Sequence, residues 1–278
     1  MRQPPAALPP VAFIGGGNMA RALVGGMIRG GSSPDDLHVS EPYAPHRDGL
    51  AAEFGVGTTD DNAAAAAKAA IWVLATKPQV LRGVCEALAP LAQAQRPLVV
   101  SIAAGITSAQ LDRWLGGGIA VVRTMPNTPA LLGAGVTGLF ANAATAPAQR
   151  DLAEALLRPA GGTVWIEDES LMDAVTATSG SGPAYVFLLA EAMQAAAQAE
   201  GLAPDAARTL VVETIAGAAR MLKEGGETAT TLRQRVTSPN GTTQAALEAF
   251  AAGGFAALVA AAVHAARIRG AELSAAND

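Results

Sequence analysis

Short apolar runs alternate with segments of helical periodicity through the first half of the chain. The apolar runs predict strands at residues 11–14, 37–40, 71–75, 98–102, 119–123, 136–141 and 163–166. Helices are expected between them at 19–29, 45–54, 63–69, 80–91 and 108–115, the last with Ser108 as a candidate N-cap. Strands separated by helices predict an α/β fold with a doubly wound parallel sheet.

The periodicity changes after about Glu169, where strand-like runs disappear. Residues 184–200, 204–223, 242–252 and 255–269 have the pattern of helices, and glycines separate them. We therefore divide the chain into a flexible leader at 1–10, a strand–helix domain at 11–169 and an all-helical domain at 170–278. The helical part is rich in alanine and poor in charge, which predicts pairing with a second copy of the chain; a single-chain bundle is the alternative.

The first predicted strand leads directly into a glycine turn, Gly15-x-Gly17-x-x-Ala20. Gly15 permits the tight turn, Gly17 has no Cβ to obstruct a pyrophosphate, and Ala20 lets the next helix pack close to the strand. Free N–H groups at the start of that helix favour an anion at the same point. This order favours a dinucleotide-binding, Rossmann-type domain over a glycine-rich turn without a ligand.

An acidic residue, Glu41, follows the second predicted strand. A carboxylate at this position commonly accepts hydrogen bonds from the adenosine ribose hydroxyls, which favours NAD over NADP. The nearby His46 and Arg47 favour the opposite, because either could approach a 2′-phosphate. A solvated Glu41 is the third possibility.

Three further predicted strands end in polar or constrained segments, at 75–78, 101–105 and 123–129. The carboxyl ends of parallel strands share one edge of the sheet, where open α/β folds bind ligands. Lys77 and Arg123 place cations at this edge, either as ligand contacts or as solvated charges. The proline-rich segment 125–129 is too constrained for an ordinary surface loop and indicates either a ligand-binding turn or a rigid connection.

Hydroxyl residues and glycines precede two of the helices in the second half of the chain. One group is Ser179-Gly180-Ser181-Gly182, followed by Pro183, and the other ends in Gly241-Thr242-Thr243. Their N–H and O–H donors suit a small carboxylate, whereas ordinary helix capping explains either group alone.

The composition narrows the classes of partner. The chain is 50% hydrophobic and 15% charged, which excludes disorder, and its net charge of −5 argues against nucleic acid as a partner. The apolar stretch 249–263 is shorter than the roughly 18–20 residues of a membrane span, and the proline-rich N-terminus has no signal-type apolar run. The single cysteine, Cys85, cannot form an intrachain disulfide, which fits a reducing compartment, so we expect a cytoplasmic protein. We also expect it to bind neither a membrane nor a metal ion.

Taken together, these motifs resemble those of the pyrroline-5-carboxylate reductase family, over nearly the whole chain after the leader. The resemblance rests on residues 13–19, 75–78, 101–106, 123–129, 179–185 and 232–243. The Ser-Gly-Ser-Gly-Pro-Ala and Ser-Pro-x-Gly-Thr-Thr motifs are specific to that family, whereas other two-domain Rossmann reductases share only the glycine turn. Two departures are Asn240, where glycine is common, and segment 224–231, which lacks a His-Pro, so no substrate contact is assigned to Glu224 or Glu227.

The resemblance implies NADPH- or NADH-dependent reduction of 1-pyrroline-5-carboxylate to L-proline, the last step of proline biosynthesis. Together with Glu41, it implies cofactor contacts at Gly15, Gly17, Asn18, Met19, Asn62, Ala75, Thr76, Lys77, Pro78 and Ala104. It implies substrate contacts at Ser179, Gly180, Ser181, Gly182, Gly241, Thr242 and Thr243, with the Thr243 hydroxyl toward the imine nitrogen. It also implies a homodimer through the helical domain and allows five dimers to form a decamer.

Other functions on the same architecture are β-hydroxyacid dehydrogenase, reductase of another cyclic imine, and non-catalytic dinucleotide binding. Hydroxyacid enzymes usually carry a catalytic lysine in the helical domain, but Lys223 is the only lysine after residue 77 and lies near a helix end. None of the three histidines lies in a motif, which fits imine reduction because an iminium needs no strong protein acid. A sensor would need only the first half of the chain, so the intact second-half motifs favour an enzyme.

Overall fold

A computed structural model of the chain describes residues 8–276. These residues form two compact units. One extends to Ser181 and resumes at Ala266, and the other is Gly182–Ala265. We predicted a domain boundary between residues 169 and 170, whereas the sheet-containing unit continues to Ser181; the boundary between domains therefore stays a prediction.

One eight-stranded sheet organises the first unit. Its strands are β1 (Val11–Ile14), β2 (Leu37–Ser40), β3 (Gly57–Thr59), β4 (Ile71–Leu74), β5 (Leu98–Ser101), β6 (Ala120–Met125), β7 (Gly135–Ala141) and β8 (Gly161–Trp165). Their order is β3-β2-β1-β4-β5-β6-β7-β8. All neighbours are parallel except β6 and β7, which are antiparallel. The α/β, doubly wound prediction is confirmed, but the sheet is mixed rather than wholly parallel.

The reversal at β7 follows from the short connection that precedes it. Between Met125 and Gly135 the chain contains only the 3₁₀ turn Thr128–Leu132. A parallel crossover needs about a dozen residues or more, usually with a helix. The strand β7 therefore returns along β6.

Helices cover both faces of the sheet. In the first unit they are α1 (Asn18–Arg29), α2 (Ala44–Phe54), α3 (Asn62–Ala66), α4 (Pro78–Gln95), α5 (Ser108–Trp114), α6 (Pro147–Leu157) and α7 (Met172–Val175). Because side chains alternate along a strand, Phe13 joins a buried cluster with Met27 of α1, whereas its neighbour Ile14 joins a second cluster with Leu81 of α4. The two cores hold the carboxyl ends of β1, β2, β4 and β5 at one edge.

The second unit is built from helices. They are α8 (Gly182–Ala199), α9 (Pro204–Glu224), α10 (Ala229–Arg235), α11 (Thr242–Ala252) and α12 (Phe255–Ala276), whose last part belongs to the first unit. None of the residues of α8 is buried, and Phe187 and Leu188 are exposed. Among residues 8–276 no single helix is long and apolar enough to cross a membrane. The helices α11 and α12, which are bent by 53° relative to each other, reach the required length and apolar composition only when they are counted together.

Several local features differ from the sequence predictions. The strand β3 and the helices α6, α7 and α10 were not predicted. The N-cap of α5 is Thr107, not Ser108, because the Thr107 hydroxyl and the Gln110 side chain form a reciprocal capping box. Ser108 instead donates its N–H and its hydroxyl to the Glu169 carboxylate, at 2.6 and 2.7 Å.

Candidate active site

The two glycines of the first turn have different structural roles. Gly15 has a φ of 108°, and a Cβ there would lie 2.7 Å from the carbonyl oxygen of Ala75. Gly17 has extended backbone angles, φ −69° and ψ −177°, and a Cβ there would meet no protein atom within 4 Å. The fold therefore requires glycine at position 15, whereas position 17 opens onto free space at the start of α1, beside Asn18 and Met19.

The hydroxyl of Thr76, which follows β4, is the polar group at this edge that lacks a partner. Its oxygen is buried and neither donates nor accepts a hydrogen bond among the residues that the structure describes. A buried hydroxyl left unpaired costs about 1–3 kcal/mol, so such groups usually meet a ligand or water. The free space at Gly17 and the unpaired Thr76 hydroxyl after the neighbouring strand together fit a bound dinucleotide.

The other predicted cofactor residues lie at the same strand ends. Ala75 follows β4 directly, Lys77 is the exposed N-cap of α4, and Pro78 is the first residue of that helix. Ala104 is exposed after β5. Their placement agrees with ligand contact. For Lys77, which is exposed, it agrees equally with a solvated charge that contacts no ligand.

Asn62 is linked to the glycine turn through β2. The Ser40 hydroxyl donates to the Asn62 side-chain oxygen at 2.6 Å, and the Ser40 carbonyl accepts from the Gly15 N–H at 2.8 Å. These bonds fix the half-buried Asn62, at the start of α3, beside the carboxyl end of β1.

The carboxylate of Glu41 turns back onto the glycine turn. Its two oxygens accept the Gly16 N–H at 2.8 Å and the Tyr43 N–H at 2.9 Å. The Arg47 guanidinium donates to the Glu41 carbonyl at 2.9 Å, and His46 stacks edge-on against Tyr43. Glu41 is therefore a fixed, half-buried charge beside the turn, and the solvated alternative is wrong.

Arg123 differs from both sequence interpretations. Its side chain is only 5% exposed and pairs with Glu169 at 3.3 Å and with Asp173 at 3.4 Å. A buried guanidinium with two carboxylate partners joins β6 to the start of α7. Arg123 is thus part of the internal structure rather than a solvated or ligand-facing cation.

The Ser179–Gly182 motif does not form an open turn before a helix. A π-helical turn, Thr176–Gly180, continues α7 toward α8, and the Ser181 N–H donates to the Thr176 carbonyl at 2.8 Å. The Ser179 hydroxyl donates to the Val175 carbonyl at 3.0 Å. Such π-turns are frequent at functional sites. We call residues 176–182 the π-turn segment.

Asn127 holds the π-turn segment from the side of the sheet, and sequence reasoning did not single it out. Its side-chain amide donates to the Ser179 carbonyl at 3.0 Å, while its side-chain oxygen accepts the Val136 N–H at 3.0 Å. The signal available in the sequence was the constrained segment 125–129, to which Asn127 belongs.

The second hydroxyl motif lies in the helical unit, at the start of α11. Asn240 has a φ of 58°, a left-handed conformation that asparagine tolerates better than most residues, so it can stand where glycine is common. The N-cap is Gly241, which has no side-chain oxygen to cap the helix. Thr242 and the half-buried Thr243 follow it in the first helical turn.

The acidic residues before this motif form ion pairs within the helical unit. Glu224 pairs with Arg220 at 3.2 Å, and Glu227 pairs with Arg235 at 2.5 Å. Both carboxylates are already partnered, which agrees with leaving them out of the substrate contacts.

Known families match both halves of the chain. Residues 169–273 match the family described as pyrroline-5-carboxylate reductase dimerisation, and residues 10–105 match NADP oxidoreductase coenzyme F420-dependent. The pyrroline-5-carboxylate reductase of Pseudomonas aeruginosa is 48% identical over 96% of this chain and 97% of its own.

Solved structures give the same result. A pyrroline-5-carboxylate reductase from Coxiella burnetii is 42% identical, with a TM-score of 0.93 over 96% of this chain and 99% of its own. The Plasmodium falciparum pyrroline carboxylate reductase, solved with NADP bound, is 27% identical, with a TM-score of 0.84 over 96% and 98%. The chain therefore belongs to the pyrroline-5-carboxylate reductase family.

Proposed function

We propose that this protein reduces the cyclic imine 1-pyrroline-5-carboxylate to L-proline at the expense of NAD(P)H. The observation that carries the proposal is the match to the Pseudomonas aeruginosa reductase, which extends over 96% of this chain at 48% identity. The likeness includes both units, whereas a dinucleotide-binding sensor would need only the first.

The strand ends of the first unit hold the cofactor in this proposal. When bound, the reduced nicotinamide supplies the hydride that is added to the carbon of the C=N bond. Gly15 forms the tight turn, Gly17 leaves the backbone open to the pyrophosphate, and the N-terminus of α1 at Asn18 and Met19 offers N–H groups to it. The unpaired Thr76 hydroxyl, Asn62 and the exposed Ala104 complete the contacts.

The two hydroxyl motifs bind the substrate in this proposal. Ser179–Gly182 and Gly241–Thr242 supply polar donors for the carboxylate. In the first motif these are donors other than the Ser179 hydroxyl and the Ser181 N–H, which already donate within the π-turn segment. Thr243 is the catalytic residue, because its hydroxyl forms a hydrogen bond with the ring nitrogen, accepting from an iminium N–H or donating to a neutral imine, and stabilises the charge that changes there during hydride transfer. If the imine arrives protonated, hydride addition gives the neutral amine directly. If it arrives neutral and bonded to this hydroxyl, the proton comes from water, so in neither case does the protein need a strong acid.

Glu41 biases the choice of cofactor toward NADH. Its carboxylate is held at the glycine turn by the Gly16 N–H, where it can accept a ribose hydroxyl and repels a 2′-phosphate. Arg47 acts in the opposite sense, but at least one of its nitrogens is engaged by the Glu41 carbonyl. Glu41 directly follows β2 and Arg47 lies in the first turn of α2, so a single substitution at either position can shift the preference.

Assembly and location complete the proposal. The exposed apolar side chains of the helical unit, such as Phe187 and Leu188, support a homodimer through that unit, and five such dimers can form a decamer. A cytoplasmic location agrees with the single, buried Cys85, which has no second cysteine in the chain for a disulfide.

The test is a spectrophotometric assay with the purified full-length protein. NADH or NADPH oxidation is followed with 1-pyrroline-5-carboxylate, and with a six-membered cyclic imine carboxylate as the comparison substrate. Turnover with the five-membered imine and formation of proline are expected. Binding of cofactor without turnover of either imine would overturn the proposal in favour of a non-catalytic role.

A further inference from the structure

Asn127 joins two parts of the first unit that are distant in the sequence. Asn127 is 9% exposed, and both the amide nitrogen and the oxygen of its side chain form hydrogen bonds with backbone groups. The amide donates to the Ser179 carbonyl, inside the π-turn segment, and the oxygen accepts from Val136 at the start of β7. This bridge needs a side chain with a donor and an acceptor on separate atoms, and asparagine supplies both without a charge at neutral pH.

The π-turn segment needs such an external support. Within the segment the Ser181 N–H reaches back to Thr176, the wider ring of a π-turn, which is less common and less stable than the α-helical one. The sheet side of the segment contacts Met125, because a Cβ at Gly180 would lie 2.5 Å from the end of that side chain. Met125 supplies a flexible apolar contact, whereas Asn127 supplies a directional one.

From this geometry we propose that Asn127 is a positioning residue for substrate binding. By fixing the Ser179 carbonyl, it sets where the Ser179–Gly182 donors lie relative to the carboxyl end of β6. It touches no reacting atom itself. The inference rests on the proposed role of Ser179–Gly182 as substrate contacts.

The chain supplies a matched control at the opposite end of β6. Asn142 makes the same kind of bridge, since its amide donates to the Ile119 carbonyl at 2.9 Å and its oxygen accepts the Val121 N–H at 3.1 Å. Its oxygen also accepts the Thr145 hydroxyl at 2.8 Å, but that hydroxyl has the Val121 carbonyl as a second acceptor at 3.2 Å. Replacing either asparagine with leucine, which has a similar shape and no charge, removes one donor and one acceptor. Both variants should lose comparable stability, but only one touches the π-turn segment.

Steady-state kinetics separate the two variants. For Asn127→Leu we expect the KM for 1-pyrroline-5-carboxylate to rise about tenfold or more, with kcat reduced less than the ratio kcat/KM, while the cofactor Kd stays within about twofold. For Asn142→Leu, KM should stay at the wild-type value despite a similar fall in Tm. An unchanged KM in a folded Asn127→Leu protein, or an equal rise in both variants, would overturn the proposal.

Hydrogen exchange tests the same inference without turnover. Amide exchange in peptides that contain residues 176–182 should be faster in Asn127→Leu than in the wild type, and unchanged in Asn142→Leu. If Asn127→Leu does not fold, Asn127→Ser takes its place in both measurements. If the wild type reduces no imine but exchange is faster in Asn127→Leu, the proposed function is refuted and the support role of Asn127 is retained. If exchange in Asn127→Leu equals that of the wild type, the support role alone is refuted.

Discussion

Replacing Gly17 with valine should weaken cofactor binding while the free protein stays folded. The backbone at Gly17 is extended, at φ −69° and ψ −177°, a conformation that β-branched residues adopt readily. A Cβ at this position meets no protein atom within 4 Å. The Cβ of the added side chain therefore meets no obstruction in the free protein, and we expect the valine to obstruct only a ligand bound over the glycine turn.

The size of the effect follows from the bonds that such a ligand would make. A pyrophosphate at the N-terminus of α1 accepts charge-assisted hydrogen bonds from backbone N–H groups, each worth about 1.5–3 kcal/mol. If the valine side chain displaces the ligand from one of them, the Kd should rise by roughly 10- to 150-fold.

The assay is a fluorescence titration with NADH and with NADPH, accompanied by a thermal melt. Gly15→Ala is the control, because φ is 108° there and the new Cβ would lie 2.7 Å from the Ala75 carbonyl oxygen. The left-handed conformation alone costs about 1–2 kcal/mol, so Gly15→Ala should lower Tm whether or not cofactor is present. Wild-type affinity in Gly17→Val would refute the assignment of the glycine turn to the dinucleotide, and an equal loss of Tm in both variants would refute the open space at position 17.

Three further substitutions test the remaining assignments. Glu41→Ser removes the charge that repels a 2′-phosphate, so the ratio of kcat/KM with NADPH to that with NADH should rise; a wild type that already strongly prefers NADPH would contradict this role of Glu41. Thr243→Val keeps the shape of the side chain but removes its hydrogen bond with the ring nitrogen. This loss should cost about 1–3 kcal/mol, or roughly tenfold or more in kcat/KM for the imine, with little change in cofactor Kd. A wild-type kcat/KM in this variant would remove Thr243 from the mechanism. The hydrogen bond from Arg158 is the largest cause that lowers the pKa of Glu154, so this carboxylate stabilises the fold above the ordinary carboxyl pKa and loses that contribution as the pH falls through the lowered value. Glu154→Gln should therefore be less stable than the wild type near neutral pH and equal to it in acid, as measured by urea unfolding; a difference independent of pH would exclude the ionised form as the cause.

Strong periodic patterns made most of the sheet predictable from the sequence. Continuous apolar runs such as β1 and β5 are buried on both faces, so composition alone identifies them. The strand β3 has only the sequence Gly-Thr-Thr and a partly exposed pattern, which carries neither an apolar run nor an alternation. The orientation of β7 depends on the length of its connection to β6, a property of the path between strands rather than of the strand itself.

The candidate site was predictable where a residue type has one geometric reason to be present. Gly15 and Asn240 have left-handed backbones, and the sequence indicates this because few residues tolerate such angles. Arg123 was not predictable, since its two carboxylate partners lie 46 and 50 residues further along the chain. The support of Ser179 by Asn127 spans 52 residues and has no local pattern either. Contacts between distant segments are therefore what the structure adds.

The uncovered apolar side chains of the helical unit make protein concentration a folding variable. Phe187 and Leu188 are 66% and 65% exposed on a helix that has no buried residue of its own, and burying a side chain of this size contributes about 1.5–3 kcal/mol. If pairing with a second copy supplies the missing interior, association and folding are one equilibrium. Dilution then acts as a denaturant, Tm rises with the logarithm of concentration, and exchange of subunits between assembled molecules proceeds only as fast as these helices come apart.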